Sequence, residues 1–176
     1  MSRQGGAADG AVRLARWSVT SGSAAQSRGV VVIEGGDHHW RASATGNGAV
    51  DALFRAVDDA LADILEGHPR LVAYDVHAVA QGPDAEGRVT VAILPPEGSG
   101  GARPGGPYSG DVQGTNIIAA SIEAYVQAIN EMLAEAPWAG ASAAASRRHG
   151  GPSARHDHRA ELGAGEPHDP TAWFDR

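Results

Sequence analysis

A chain of 176 residues is long enough for one domain with its own core, or for two small modules that share one. It holds no cysteine, which excludes disulfides and thiolate metal sites, and its formal charge of −7 argues against a nucleic-acid partner, which would need a basic face. No run approaches membrane-spanning length and the first residues form no apolar targeting segment, so a cytoplasmic protein without a membrane partner is expected.

Residues 1–10 are small and polar, an end expected to be disordered. From residue 11 the pattern is that of a strand: Val12 and Leu14 alternate, the phase slips at Ala15, and Trp17 and Val19 carry it on, which marks a bulge or a sheet edge. Ser21-Gly22-Ser23 is turn chemistry. Residues 29–34 are a β-branched strand, Gly35-Gly36-Asp37 a tight hairpin, and residues 38–45 the returning strand.

Residues 44–65 organise the chain. The glycine turn Gly46-Asn47-Gly48 runs directly into an amphipathic helix with Val50, Leu53, Val57, Leu61 and Ile64 on its apolar face, and with Arg55, Asp58, Asp59 and Asp63 on its wet face. Asp51 lies in the first turn, where the helix dipole favours a carboxylate. A helix start preceded by glycines leaves backbone N–H groups free to cradle an anion; equally, the glycines could only let the backbone turn and bind nothing. Gly67-His68-Pro69 ends the helix.

The pattern then repeats. Residues 71–80 read as a strand with Val72, Tyr74, Val76 and Ala78 on one face, residues 82–87 as a turn, and residues 89–94 as a well-buried strand. A loop rich in glycine and proline follows over residues 95–107, then a short strand over 108–113. Gly114-Thr115-Asn116 opens a second helix whose apolar side carries Ile118, Tyr125, Ala128, Ile129, Met132 and Leu133, and which stops by Pro137. Strand-strand-strand-helix thus occurs twice, Gly46 matching Gly114, Val50 Ile118, Val57 Tyr125 and Leu61 Ile129. The expected fold class is α+β: two pseudo-symmetric βββα modules, residues 11–68 and 69–137, packed about a pseudo-twofold, each helix covering one face of an antiparallel sheet. Modules this thin favour a dimer.

Residues 138–176 lose all periodicity and read as a disordered tail. Its His156-Asp157-His158 matches no closed metal site, so no metal or cofactor is expected. Trp173 and Phe174 bring apolar surface to the tail with no place assigned to it. Phosphate-loop, dinucleotide, zinc-protease and serine-hydrolase motifs do not occur, and no catalytic residue is assigned. Mid-strand, His77 reads as a hydrogen-bonded structural histidine among apolar neighbours, and Asp75 as an outward-facing strand residue.

Four blocks, RLARWSVTSGS, GNGAVDALFRAV, LVAYDVHAVAQGPDAEGRVTV and GTNIIAASIEAYVQAIN, resemble in that order the C-terminal regulatory domain of α-isopropylmalate synthases, a domain shared by the citramalate synthases. The resemblance covers about residues 12–133. It implies two βββα modules that dimerise and bind leucine, or isoleucine in the citramalate synthases, as feedback inhibitor. In that family the domain follows a TIM barrel that carries a metal-dependent acyl-CoA condensation. A barrel needs about 200 residues or more, against eleven ahead of the first strand here, so the condensation chemistry is not carried over. Ala49 stands where the family usually has proline, and Asn116 where many members have aspartate.

Carried over residue by residue, the ligand site lies where the two glycine turns face each other. Gly46, Asn47 and Gly48 with Val50 and Asp51 meet the polar end of the ligand; Tyr74 and Ala78 line the apolar part, with Leu71 and Ala85 nearby; Gly114, Thr115 and Asn116 close the far side. A branched-chain amino acid suits such a site, since its carboxylate takes helix-start N–H groups and its side chain fills the apolar remainder. The expected function is a free-standing allosteric and dimerisation module that binds a leucine-like amino acid, as a homodimer, and acts in trans on a separately encoded synthase. Two alternatives stand beside it: a small pathway enzyme that reuses the pocket, with Asp51, Tyr74, Asp75 or His77 as acid–base groups, and a dimerisation scaffold without a ligand.

Overall fold

The computed structural model describes residues 10–79, 82, 85–97 and 106–135. Three strands, β1 (Arg13–Gly22), β2 (Ala25–Gly35) and β3 (His38–Gly46), lead into helix α1 (Ala49–Leu65); β4 (Arg70–Ala78), β5 (Gly87–Leu94) and β6 (Tyr108–Gly114) lead into α2 (Ile117–Leu133). Each trio is an antiparallel sheet in sequence order, sheet A from β1–β3 and sheet B from β4–β6. The chain is therefore α+β with a βββα unit repeated, as its apolar register indicates.

The repeat extends to a defect. In sheet A the pairing with β2 shifts between Leu14 and Arg16, and in sheet B the pairing with β5 shifts between Leu71 and Ala73. The phase slip at Ala15 is thus a bulge, and β4 hides a matching one. It moves Leu71, opposite Ile93, onto the face of Tyr74, Val76 and Ala78, which displaces Val72 from the position that plain alternation gives it. Strand β2 begins at Ala25 because Ala25 pairs with Gly22 of β1, so the β1–β2 turn falls later than the Ser21-Gly22-Ser23 cluster suggests.

Along β2 and β5 the residues facing the helices, Val31 and Ile33 in one and Val89, Val91 and Ile93 in the other, are fully buried. Against them lie Leu53, Val57, Leu61 and Ile64 of α1 and Ile122, Ile129 and Met132 of α2, in one continuous core. Burying each such side chain stabilises the fold by about 1.5–3 kcal/mol. The helices sit close to their sheets. A Cβ on Gly110 would lie 1.9 Å from the Ala124 carbonyl oxygen, so only glycine admits α2 at that height. Helix α1 ends when Glu66 enters the left-handed region (φ 53), one residue before the glycine that marks the stop in the sequence.

Contacts cross between the modules along α2. Phe54 of α1 stacks on Tyr125 of α2, with ring centroids 4.3 Å apart, and meets the ring of Tyr74 edge-on. At the other end of α2, the Asn130 side-chain amide donates to the Val12 carbonyl and accepts from the Val12 N–H, both at 2.8 Å, holding the entry to β1 as a neighbouring strand would.

Candidate functional site

The two helix starts share a backbone plan but not a chemistry. At the first, the Asp51 carboxylate accepts the Asn47 N–H at 2.9 Å and is paired with Arg55 at 3.0 Å. The Asn47 hydrogen bond and then the Arg55 guanidinium hold its pKa below the usual carboxylate value. One anion position at this helix start is therefore filled by the chain itself. At the second, Ala119 occupies the place of Asp51; Asn116 caps the helix by accepting the Ala119 N–H at 3.1 Å, and no acidic residue lies in the first turn.

The glycines divide in the same way. Gly46 is buried, and a Cβ there would meet the Ala52 N at 2.5 Å. Gly48 (φ −156, extended) and Gly114 have nothing within 4 Å of a built Cβ. Neither packing nor a positive φ accounts for glycine at those two positions, and both leave open space at a helix start. Val50 is half-buried and packs against the core, while Asn47, Thr115 and Asn116 are exposed.

Strand β4 supplies the remaining expected residues. Helix α2 lies over β5 and β6 and leaves most of β4 uncovered. Leu71 is 44% exposed, Tyr74 38% and Val76 44%; Ala78 is exposed as well. Ala85 is half-buried, its N–H donated to the Gly82 carbonyl. Tyr74 ties this strand to both helices. Its hydroxyl is 2.8 Å from Ser121 Oγ, one helical turn past Ile117, and its ring meets Phe54, one turn past Val50. Tyr74 therefore links the β4 stripe to the second turn of each helix.

A second polar cluster lies on the seam between modules. Asp58 is buried rather than on the wet face of α1. Tyr125 donates its hydroxyl to Asp58 Oδ1 at 2.6 Å, and His68 Nδ1 stands 3.8 Å from Oδ2. Burial pushes the Asp58 carboxyl up to about 6, against the opposing pull of the Tyr125 hydrogen bond and of His68. The Tyr125 phenol is raised far above its ordinary value by burial and the adjacent carboxylate, and stays protonated. Asp58 borders an open cleft of about 810 Å³ that Arg28, Ser43, Thr45, Arg55, Asp59 and His68 also line. The repeat held the missed signal: Asp58 aligns with Val126, a buried position, and lies four residues from Phe54 and three from Leu61, on a shoulder of the apolar stripe.

Two further expectations meet the outer face of sheet B. Asp75 is exposed there, as read from the alternation. His77 is exposed too, opposite Arg88 rather than among apolar neighbours, because the face of β4 that carries it points away from the core. The tail with His156, His158, Trp173 and Phe174, and the N-terminal residues 1–9, lie outside the described residues.

Comparison with known proteins gives a consistent result. Residues 1–133 match the model of the LeuA allosteric (dimerisation) domain. The chain is 35% identical over 125 residues to a 2-isopropylmalate synthase of Salinibacter ruber, a stretch that is 70% of this chain and 21% of that protein. A 2-isopropylmalate synthase of Nitrosococcus oceani is 37% identical over 93 residues, 53% of this chain and 16% of the relative. One from Methylobacterium nodulans is 32% identical over 125 residues, 71% and 22% respectively. The chain thus spans about a fifth of the length of these relatives.

Proposed function

The chain belongs to the LeuA allosteric (dimerisation) domain family, and from that premise we propose that it is a regulatory module which dimerises, binds a leucine-like branched-chain amino acid, and acts in the cytoplasm on a 2-isopropylmalate- or citramalate-type synthase encoded separately. The observation that carries this reading is the uncovered apolar stripe of β4. Leu71, Tyr74 and Val76 present large side chains to solvent on the face that α2 protects elsewhere in the sheet. Exposed apolar surface of this kind marks an interface or a ligand groove, and Leu71, Tyr74 and Ala78 are the residues that the resemblance assigns to the ligand.

In this arrangement a second copy covers the stripe and closes a pocket that one copy leaves open. The ligand carboxylate takes the first-turn N–H groups of α2, where no acidic side chain competes and Gly114 leaves room. Asp51 faces the ammonium, and the branched side chain lies on Leu71, Tyr74 and Ala78.

A thermal-shift panel of leucine, isoleucine, valine and their 2-oxo acids tests the ligand. Binding to the folded state alone stabilises by about 2.7 kcal/mol at one hundred times Kd, a shift of several degrees. Absence of any shift at millimolar concentration would remove the amino-acid reading and leave the scaffold. The action in trans is tested by adding the chain to a barrel-only synthase, which should become leucine-sensitive only in its presence.

A further inference from the structure

We propose that the outer face of sheet A is a docking surface for the acidic end of this chain's own C-terminal segment, residues 161–175. Strand register sets out the face in rows. Arg16, Val32 and Arg41 lie side by side across the three strands, then Ser18, Val30 and Ser43, then Thr20, Arg28 and Thr45. Two valines thus form a floor ringed by three arginines and four hydroxyls, with shallow grooves between Arg28 and Arg41 and between Arg16 and Arg41. Seven arginines fall among the described residues. Arg13, Arg55, Arg70 and Arg88 each have a carboxylate partner; Arg16, Arg28 and Arg41 have none among the described residues, and all three are on this face. An acidic chain that leaves its only unpaired described arginines clustered on one sheet face presents a surface for anions. The same rows of sheet B carry Ala73, Asp75, Ser109 and Asp111 instead, with Arg88 paired to Asp111.

The occupant follows from charge and place. Beyond Glu135 the sequence partly segregates its charges: Arg147, Arg148, Arg155 and Arg159 come first, with Asp157 among them, then Glu161, Glu166, Asp169 and Asp175 with no arginine until Arg176, together with Leu162, Trp173 and Phe174. The acidic part matches the arginines, and its apolar side chains match Val30 and Val32. The Asn130–Val12 hydrogen bonds place the C-terminal end of α2 beside the start of β1. Five helical residues separate Asn130 from Glu135, about 8 Å, and four extended ones separate Val12 from Arg16, about 13 Å. With the span of the Asn130–Val12 contact added, the segment leaves the domain within about 30 Å of Arg16, one edge of the arginine face. A flexible linker of the length between Glu135 and Glu161 would have a root-mean-square span of about 28 Å, enough to bridge that gap and to hold the acidic end at an effective concentration in the millimolar range. The docking is independent of the amino-acid reading, since none of these residues lies at the helix starts or on the β4 stripe.

The test uses the full chain. Because the chain has no cysteine, R176C carries a single nitroxide, and amide relaxation reports what it approaches. At low salt, amides of Arg16, Val30, Val32 and Arg41 should broaden while those of Thr90 and Ser109 on the outer face of sheet B do not. The broadening should vanish in 1 M NaCl, where the screening length falls to about 3 Å, and in R16E/R41E, and should return when that variant also carries E166R/D169R. No broadening on sheet A at low salt, or broadening indifferent to salt, would overturn the proposal without reliance on any substitution. Broadening seen only when label and isotope reside on different molecules would overturn it in favour of docking on a second copy.

Discussion

Replacing Asp58 with asparagine isolates the energetic consequence of placing a carboxyl on the seam between modules. Asparagine keeps an oxygen to accept the Tyr125 hydroxyl and removes the charge. The Asp58 carboxyl rises from 3.8 to about 6 on folding, chiefly through burial. A shift of about two units corresponds to roughly 3 kcal/mol between the protonated and ionised forms, and the side chain is only 12% exposed, so solvent screens little of it. The sign follows from proton linkage. Between pH 4 and pH 6 the folded state keeps a proton that the unfolded state has lost, so the contribution of Asp58 to stability falls as pH rises through that window, and the full cost is present above it.

D58N should therefore approach the parent as pH falls below about 4 and exceed it by about 2–3 kcal/mol at pH 7.5, a rise in Tm on the order of 10 °C for a domain of this size. Chemical denaturation of both proteins across pH 4–8 measures the difference directly, and taking the difference cancels the other carboxylates. A gap that is the same at every pH would refute the reasoning, as would an asparagine variant less stable than its parent at pH 7.5. Y125F, which removes the donor and leaves the carboxyl buried with one partner fewer, should cost about 1–3 kcal/mol and move the pH window upward.

Other predictions follow from the same geometry. G48V should fold with its Tm nearly unchanged, because the backbone there is extended and the space is open, yet lose the leucine-induced shift; a retained shift would move the ligand away from that turn. V76D, on the uncovered stripe, should convert a sedimenting dimer into a monomer, and an unchanged dimer would place the interface elsewhere. G110A should be severely destabilising, since its Cβ would overlap the Ala124 carbonyl, with loss of several kcal/mol in denaturant titration. N130A removes both bonds to Val12 and should cost about 1–3 kcal/mol, with faster amide exchange along β1.

The sequence carried the repeat because the repeat is written in apolar period. Alternation in the strands and the three- and four-residue steps of the helices both depend on burial, and burial decides where Val31, Ile33, Leu53 and Leu61 go. The slip at Ala15 was legible for the same reason. Its counterpart at Leu71 was not, because Leu71, Val72 and Ala73 are all apolar, and a stretch without polar markers does not report its register. Asp58 was misplaced by the converse effect: a carboxylate reads as wet unless its partner is known, and that partner, Tyr125, is 67 residues away. The candidate ligand residues could be named only through resemblance, since an open space beside Gly48 or Gly114 leaves no mark in the pattern of side chains.

What distinguishes the two modules is therefore more informative than what they share. Matched positions that build the fold are alike: the bulges at Leu14 and Leu71, the helices of equal length, the buried pair Leu61 and Ile129. Three matched differences bear on how such a module would act. Asp51 stands against Ala119 at the helix starts, which gives one turn a built-in anion and leaves the other open to an external one. Asp58 stands against Val126 on the seam, which makes contact between the helices sensitive to protonation. Arg16 and Arg41 stand against Ala73 and Ser109 on the outer sheet faces, which leaves sheet A alone cationic. Packing alone would let the helix-start and outer-face positions be the same in both halves, because none of them fills the core of its own sheet. A duplicated unit under selection only for stability has no reason to break its symmetry there, whereas one that must receive a ligand at one end and a charged segment on one face does.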